Sequence, residues 1–200
     1  MSDLPELYVA FDVEADGPIP GPYSMLSLGM AVAGRPDLTF YTELRPISDD
    51  VVPAALAVSG LDRDRLLREA PTPEDAMRSA ARWIHDLRRI GRPVFLAAPA
   101  VFDGMFVHWY FLRFTGRSPF SPTGAGIDLR SYWMGLTGCE WSATRKVAII
   151  RALGLTGLTH THHAGEDAAE LAEVFAAVMA GRDRHGPSTT GAPADEPPAP

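Results

Sequence analysis

Apolar positions in the first quarter of the chain fall in short runs rather than in helical stripes. Residues 6–14 (ELYVAFDVE) are rich in β-branched and aromatic side chains and predict a buried central strand. Residues 23–33 (YSMLSLGMAVA), reached through the turn-rich GPIPGP, predict a second strand. Residues 38–45 (LTFYTELR), where apolar and mixed positions alternate, predict a third, half-exposed one. Their short connections imply an antiparallel meander. The period changes at Thr72-Pro73-Glu74-Asp75, which offers an N-cap, a proline at the first helical position and acids in the first turn. Ala76, Met77, Ala80, Ile84 and Leu87 then make one apolar stripe, ended by Gly91-Arg92-Pro93. Residues 94–98 read as a short buried strand, 103–115 as a helix and 126–129 as a fifth, short strand. Ser142 or Thr144 is placed to cap a helix reaching Leu153, with Gly154 as its stop, and residues 166–180 form an Ala-rich helix ended by Gly181. Three strands followed by alternating helices and short strands define an α/β class, a mixed sheet with helices on its faces.

Composition adds boundaries. From Gly181 onward the chain is rich in Pro, Gly, Ser, Thr and Ala, and such a segment buries too little surface to offset its ordering entropy. The expectation is one folded domain, residues 1–180, followed by a disordered tail, residues 181–200. No apolar run is long enough to span a bilayer, and the acidic N-terminus lacks a signal-peptide pattern. A single cysteine, Cys139, fits a reducing compartment, so the cytoplasm is expected. The net charge of −7 argues against broad coating of duplex DNA, but not against holding a short strand end in a metal-containing cleft. All basic residues except Lys146 and the histidines are arginine, which codon bias explains; no aromatic-and-basic cluster marks a preference between RNA and DNA.

Three acidic features carry candidate chemistry. Asp12-Val13-Glu14 ends the first strand, and alternation there points both carboxylates to one face. After an apolar run this is costly unless a hard cation such as Mg²⁺ or Mn²⁺ compensates; the plain alternative is a strand end emerging into solvent. Asp103 stands alone between VFLAAPAVF and GMFVHWYF, either as the N-cap of the next helix or as a ligand. In His162-His163-Ala164-Gly165-Glu166-Asp167, a loop histidine precedes a helix whose first turn bears Asp167. First-turn acids also complement a helix dipole, and a zinc cluster of His160, His162 and His163 is a further alternative.

FDVEADG, VFDGMF and HHAGEDA, in that order and at those separations, resemble the DEDDh, RNase T-like family of 3′–5′ exonucleases on the ribonuclease H-like fold. SMLSLGMA, VSGL, GIDLR and IIRALGL resemble its intervening segments. The resemblance implies a five-stranded sheet, a three-strand antiparallel meander plus two parallel strands, flanked by helices. It implies that Asp12, Glu14, Asp103 and Asp167 bind two divalent cations, Mg²⁺ or Mn²⁺. His162, five positions before the last acid, would be the general base, with His163 its neighbour and competitor. The sister branch has tyrosine four positions before that acid, where this chain has His163. Two departures stand out: Ala98-Pro99 replaces the family's common polar pair before the middle acid, and Asp16 replaces a Thr or Ser. The implied activity removes nucleoside 5′-monophosphates from 3′ ends of single-stranded or short nucleic acid. Glu14 and the backbone at Ala15 would hold the terminal hydroxyl, Asp16 would lie near the terminal nucleotide, and Met25 and Phe106 would stack on bases unless they are core residues. Relatives often form homodimers, though nothing in this sequence signals one. The alternatives are a phosphohydrolase acting on nucleotides or small phosphate esters, a non-catalytic nucleic-acid-binding module, and a structural protein whose acids merely cap helices.

Overall fold

The computed structural model describes residues 4–120, 123–158 and 160–185, with 183–185 by backbone alone. Its strands are β1 (Glu6–Ala15), β2 (Met25–Val32), β3 (Arg35–Glu43), β4 (Arg92–Ala97) and β5 (Ile127–Asp128). They form one sheet in the order β3-β2-β1-β4-β5, antiparallel from β3 to β1 and parallel from β1 to β5. This is the mixed sheet the hydrophobic pattern predicts. Every residue of β2 is buried, whereas β3 alternates between exposed and half-buried positions as an edge strand does.

Side-chain alternation along β1 divides the core. Val9, Phe11, Val13 and Ala15 pack on one side with α3 (Pro73–Leu87) and α4 (Ala100–Thr115). Ala10 faces the other side, against α7 (Ala164–His185). The same alternation turns Asp12 and Glu14 toward α7. Strand β4 pairs with β1 only as far as Ala10↔Leu96, so the end of β1 has no ladder partner on that side. Asp103, in the first turn of α4, supplies the missing acceptor: its Oδ1 takes the Val13 N–H at 3.1 Å.

Helix boundaries differ from the sequence expectation in three places. The cap position of α4 is Pro99, not Asp103, and its first N–H (Ala100) donates to Asp128 Oδ2 at 2.8 Å. The other oxygen of Asp128 accepts from Ser131 N at 2.7 Å and caps α5 (Leu129–Thr137), so one carboxylate covers two helix starts. Neither Ser142 nor Thr144 caps α6 (Lys146–Leu153). Both lie in a 3-10 turn, and the buried Thr144 hydroxyl donates to the Trp141 carbonyl and accepts from Arg130 Nε. Helix α7 runs through a buried Gly181 to His185, beyond the expected stop. A glycine inside a helix costs only about 1 kcal/mol relative to alanine, which packing overrides. The remainder of the predicted tail lies outside the described residues. The short α1 (Pro53–Ser59), α2 (Arg63–Glu69) and α5 went unpredicted, because two turns show too little of the helical period to read.

Gly29 controls how closely α7 approaches the sheet. It pairs with Asp12 across β1 and β2, and a Cβ on it would stand 1.9 Å from the carbonyl oxygen of Ala164 at the start of α7. Substituting Gly29→Ala must push that helix start away from the acids. Urea unfolding of this variant is expected to show a loss of about 1–3 kcal/mol, the usual range for overpacking; an unchanged midpoint would mean that the close docking is not real.

Candidate active site

Asp12, Glu14 and Asp167 converge where β1 meets α7, each offering a carboxylate oxygen within 4.8 Å of the other two. Glu14 and Asp167 are buried, and Asp12 is half-buried. The pairing register of β1 with β2 shifts between Glu14 and Ala15, where the strand reaches the acids. Asp103 is buried beside them but outside that group of three, one oxygen engaged by the Val13 N–H. Among the described residues no arginine or lysine forms an ion pair with any of the four.

The electrostatic result is a site that resists ionisation. Burial, then Asp103, Asp167 and Glu14, hold the Asp12 carboxyl well above the usual carboxylate range. Glu14 is pushed up to about 7 by burial and next by Asp167 and Asp103. Burial also takes Asp103 to about 7, although the Val13 N–H opposes the shift. Asp167 Oδ1 accepts from Thr161 N at 3.0 Å, while its buried Oδ2 has no hydrogen-bond partner. His160 Nδ1 lies 2.9 Å from that second oxygen, but not in line to donate to it. An orphaned carboxylate oxygen among unpaired acids is the arrangement that hard divalent cations satisfy. The donor set therefore fits such ions, with Asp12, Glu14 and Asp167 as the compact group and Asp103 adjoining.

The three histidines separate clearly. His163 Nδ1 accepts from Glu166 N at 3.3 Å, capping α7, and its ring stacks on Tyr41 with centroids 4.4 Å apart. His162 is exposed, has a left-handed backbone at φ 57°, and lies edge-on to His160 at 4.3 Å. His160 and His162 can present ring nitrogens within 4.8 Å of each other and of an Asp167 oxygen. His163 is thus not part of a three-histidine zinc cluster.

Several expected substrate contacts are placed elsewhere. Met25 and Phe106 are fully buried in the core and cannot stack on a base. Asp16 is also fully buried: Oδ1 accepts from Ser24 N at 2.6 Å and Oδ2 from Arg63 Nε at 3.1 Å. It is a strut between the 17–24 loop and α2 rather than an acid facing a nucleotide. Ala15 is buried at the end of β1, next to Glu14. Two features escaped sequence reasoning. The Tyr41–His163 stack joins distant segments and has no local signal. Lys146, the lone lysine, is paired with buried Glu170 and near His160, and it partly offsets the charge on Asp12 and Asp103. Its uniqueness, and the position of Glu170 one turn after Asp167, were the available signals.

No protein-family model matches the chain. A 3′–5′ DNA exonuclease, Cap18 of Escherichia coli, is 37% identical over 171 residues, covering 85% of this chain and 90% of the relative. The nuclease domain of 3'hExo, a DEDDh family member solved bound to rAMP, superposes with a TM-score of 0.69 at 14% identity, over 90% of this chain and 94% of that one. E. coli exonuclease I in complex with a dT13 oligonucleotide superposes at 0.64 with 17% identity, over 90% of this chain and 42% of that one. These likenesses and the carboxylate site define a nuclease on the ribonuclease H-like fold. The chain belongs to the DEDDh family of 3′–5′ exonucleases, and its acidic group of three could hold a metal ion. Among the described residues, no helix is long and apolar enough to cross a membrane.

The raised carboxyls set a pH dependence of stability. Glu14 and Asp103 bind protons more tightly folded than unfolded, where their values are 4.5 and 3.8. The metal-free protein should therefore lose stability as pH rises from about 4 through 7. Thermal melting with EDTA is expected to give a higher Tm at pH 5 than at pH 8, and Asp12→Asn should raise the pH 8 value. A Tm that climbs between those pH values, alongside no gain from Asp12→Asn, contradicts the burial account.

Proposed function

We propose that the chain is a two-metal 3′–5′ DNA exonuclease, using Mg²⁺ or Mn²⁺, that releases nucleoside 5′-monophosphates from single-stranded or short ends. The observation that carries this reading is the convergence of half-buried Asp12 with buried Glu14 and Asp167, none paired with an arginine or lysine among the described residues, beside an exposed His162. DNA is favoured over RNA by the 37% identical relative, which is named a DNA exonuclease. The single cysteine supports a cytoplasmic setting.

Asp12, Glu14, Asp103 and Asp167 would hold the ions. When bound, they would lower the pKa of the attacking water and brace the leaving oxygen. His162 is the proposed general base, since it is exposed and can present a ring nitrogen within 4.8 Å of an Asp167 oxygen. His163 is the weaker candidate because its Nδ1 is engaged with the start of α7. Glu14 and the backbone at Ala15 are proposed to hold the terminal 3′-hydroxyl, giving the exo polarity.

With a 5′-labelled oligonucleotide and Mn²⁺, Asp12→Ala or Asp167→Ala should abolish 3′-end shortening while the fold persists; shortening that survives in both would overturn the site. His162→Ala should lower kcat on the order of 100-fold or more with little change in metal affinity. His163→Ala should lower Tm more than kcat. The reverse ranking of the two histidines would move the base to position 163.

A further inference from the structure

At the far end of α4 from Asp103 lies a groove of about 750 Å³ lined by Arg78, Arg82, His85, Arg88 and Arg117, with Phe114 in its wall. No Asp or Glu lines it, in a chain whose net charge is −7. Arg78, Arg82 and His85 recur at helical spacing on one face of α3, the face away from buried Ala76, Ala80 and Ile84. A solvated basic face is usually neutralised by neighbouring acids, but here only Arg78 has such a partner, Glu74 at 2.6 Å. Arg82 donates to the Ser79 hydroxyl at 2.9 Å, and Arg88 to the carbonyl of Pro119. Neither of these arginines, nor Arg117, makes an ion pair among the described residues. Guanidiniums gathered from α3 and from the loop after α4 repel one another unless an anion joins them. Their planar forks match phosphate oxygens.

The rise of an α-helix puts the groove about 18 Å from Asp103 along α4, close to five nucleotides of a stacked strand. The outer face of α4 between the two carries exposed apolar surface. Leu112 is 43% exposed, and it lines a shallow depression together with half-buried Met105 and Trp109. Trp109 in turn contacts Phe114 in the groove wall, at 6.1 Å between ring centroids. We propose that this groove binds the phosphate backbone of the nucleic-acid substrate several nucleotides away from the 3′ end being removed. This inference rests on the exonuclease reading. It adds a second contact that favours strands long enough to reach it.

The test compares wild type with an Arg82→Ala, Arg88→Ala, Arg117→Ala triple variant. Fluorescence anisotropy with single-stranded DNA of about 3 and about 15 nucleotides is measured in EDTA, so that nothing is cleaved; at the rise above, only the longer strand spans both sites. The wild type should bind the longer strand more tightly. The variant should lose on the order of tenfold for that strand and keep its affinity for the short one. Its log–log salt slope should shrink by about 2, the share of three phosphate contacts on a single strand. A triple lysine variant should retain most of the long-strand affinity. Unchanged affinity and salt slope for the long strand overturn the proposal, and so does an equal loss for both lengths, which would indicate a general field. If the alanine variant fails to melt cooperatively, Arg117→Glu alone, in the loop after α4, carries the same comparison. Mn²⁺-dependent shortening of both strands by wild type is read separately. A protein that binds long DNA through the groove but shortens neither strand would overturn the exonuclease reading and leave the groove assignment standing.

Discussion

Buried carboxylates held together without a basic partner are the constraint around which this molecule is built. Each loses hydration, and each raises the cost of ionising the next. Glu14, Asp103 and Asp167 are buried and Asp12 half-buried, none of them is paired with an arginine or lysine among the described residues, and one oxygen of Asp167 has no hydrogen bond at all. Such a cluster persists only because the surrounding packing over-determines it. Gly29 admits the start of α7 to the sheet, Asp128 anchors two helix starts, and the Val13 N–H fixes Asp103 against the unpaired end of β1. The destabilisation carried by the acids is the same quantity that makes the site receptive to divalent cations. Stability and chemistry are thus two consequences of one charge arrangement.

The neighbouring cations are kept at one remove. Lys146 is tied to Glu170 and Arg63 to Asp16, both acids outside the ligand set. That leaves the ligand carboxylates free of lysine and arginine partners among the described residues while limiting the net charge they feel. The histidine loop is divided in a similar way. His163 is built into the start of α7 and the Tyr41 stack, which anchors the loop, while His162 beside it remains exposed.

Much of this was legible along the chain because it depends on short-range periodicity. Alternation on β1 placed Asp12 and Glu14 on one face, and an acid stranded among apolar residues marked Asp103. Asp16 followed the same strand in sequence, yet its partners, Ser24 and Arg63, come from a loop and a short helix that no local pattern announces. Met25 and Phe106 are apolar residues near the site, and sequence alone does not distinguish a base-stacking face from the core behind it. The basic groove was overlooked for a related reason: Arg88 and Arg117 are far apart along the chain and meet only once α3 and α4 pack. Features assembled by tertiary contact between distant segments were the ones sequence reasoning could not supply.

Asp12, Glu14 and Asp103 retain protons until metal displaces them. Calorimetric titration of Mn²⁺ into the metal-free protein, repeated in buffers of different ionisation enthalpy, counts the protons released. With Glu14 and Asp103 both near 7, binding at pH 7 should release about one proton per chain or more, and the number should fall as the pH is raised. Metal binding at pH 7 with no proton release would contradict the account, as would a titration in which no metal binds.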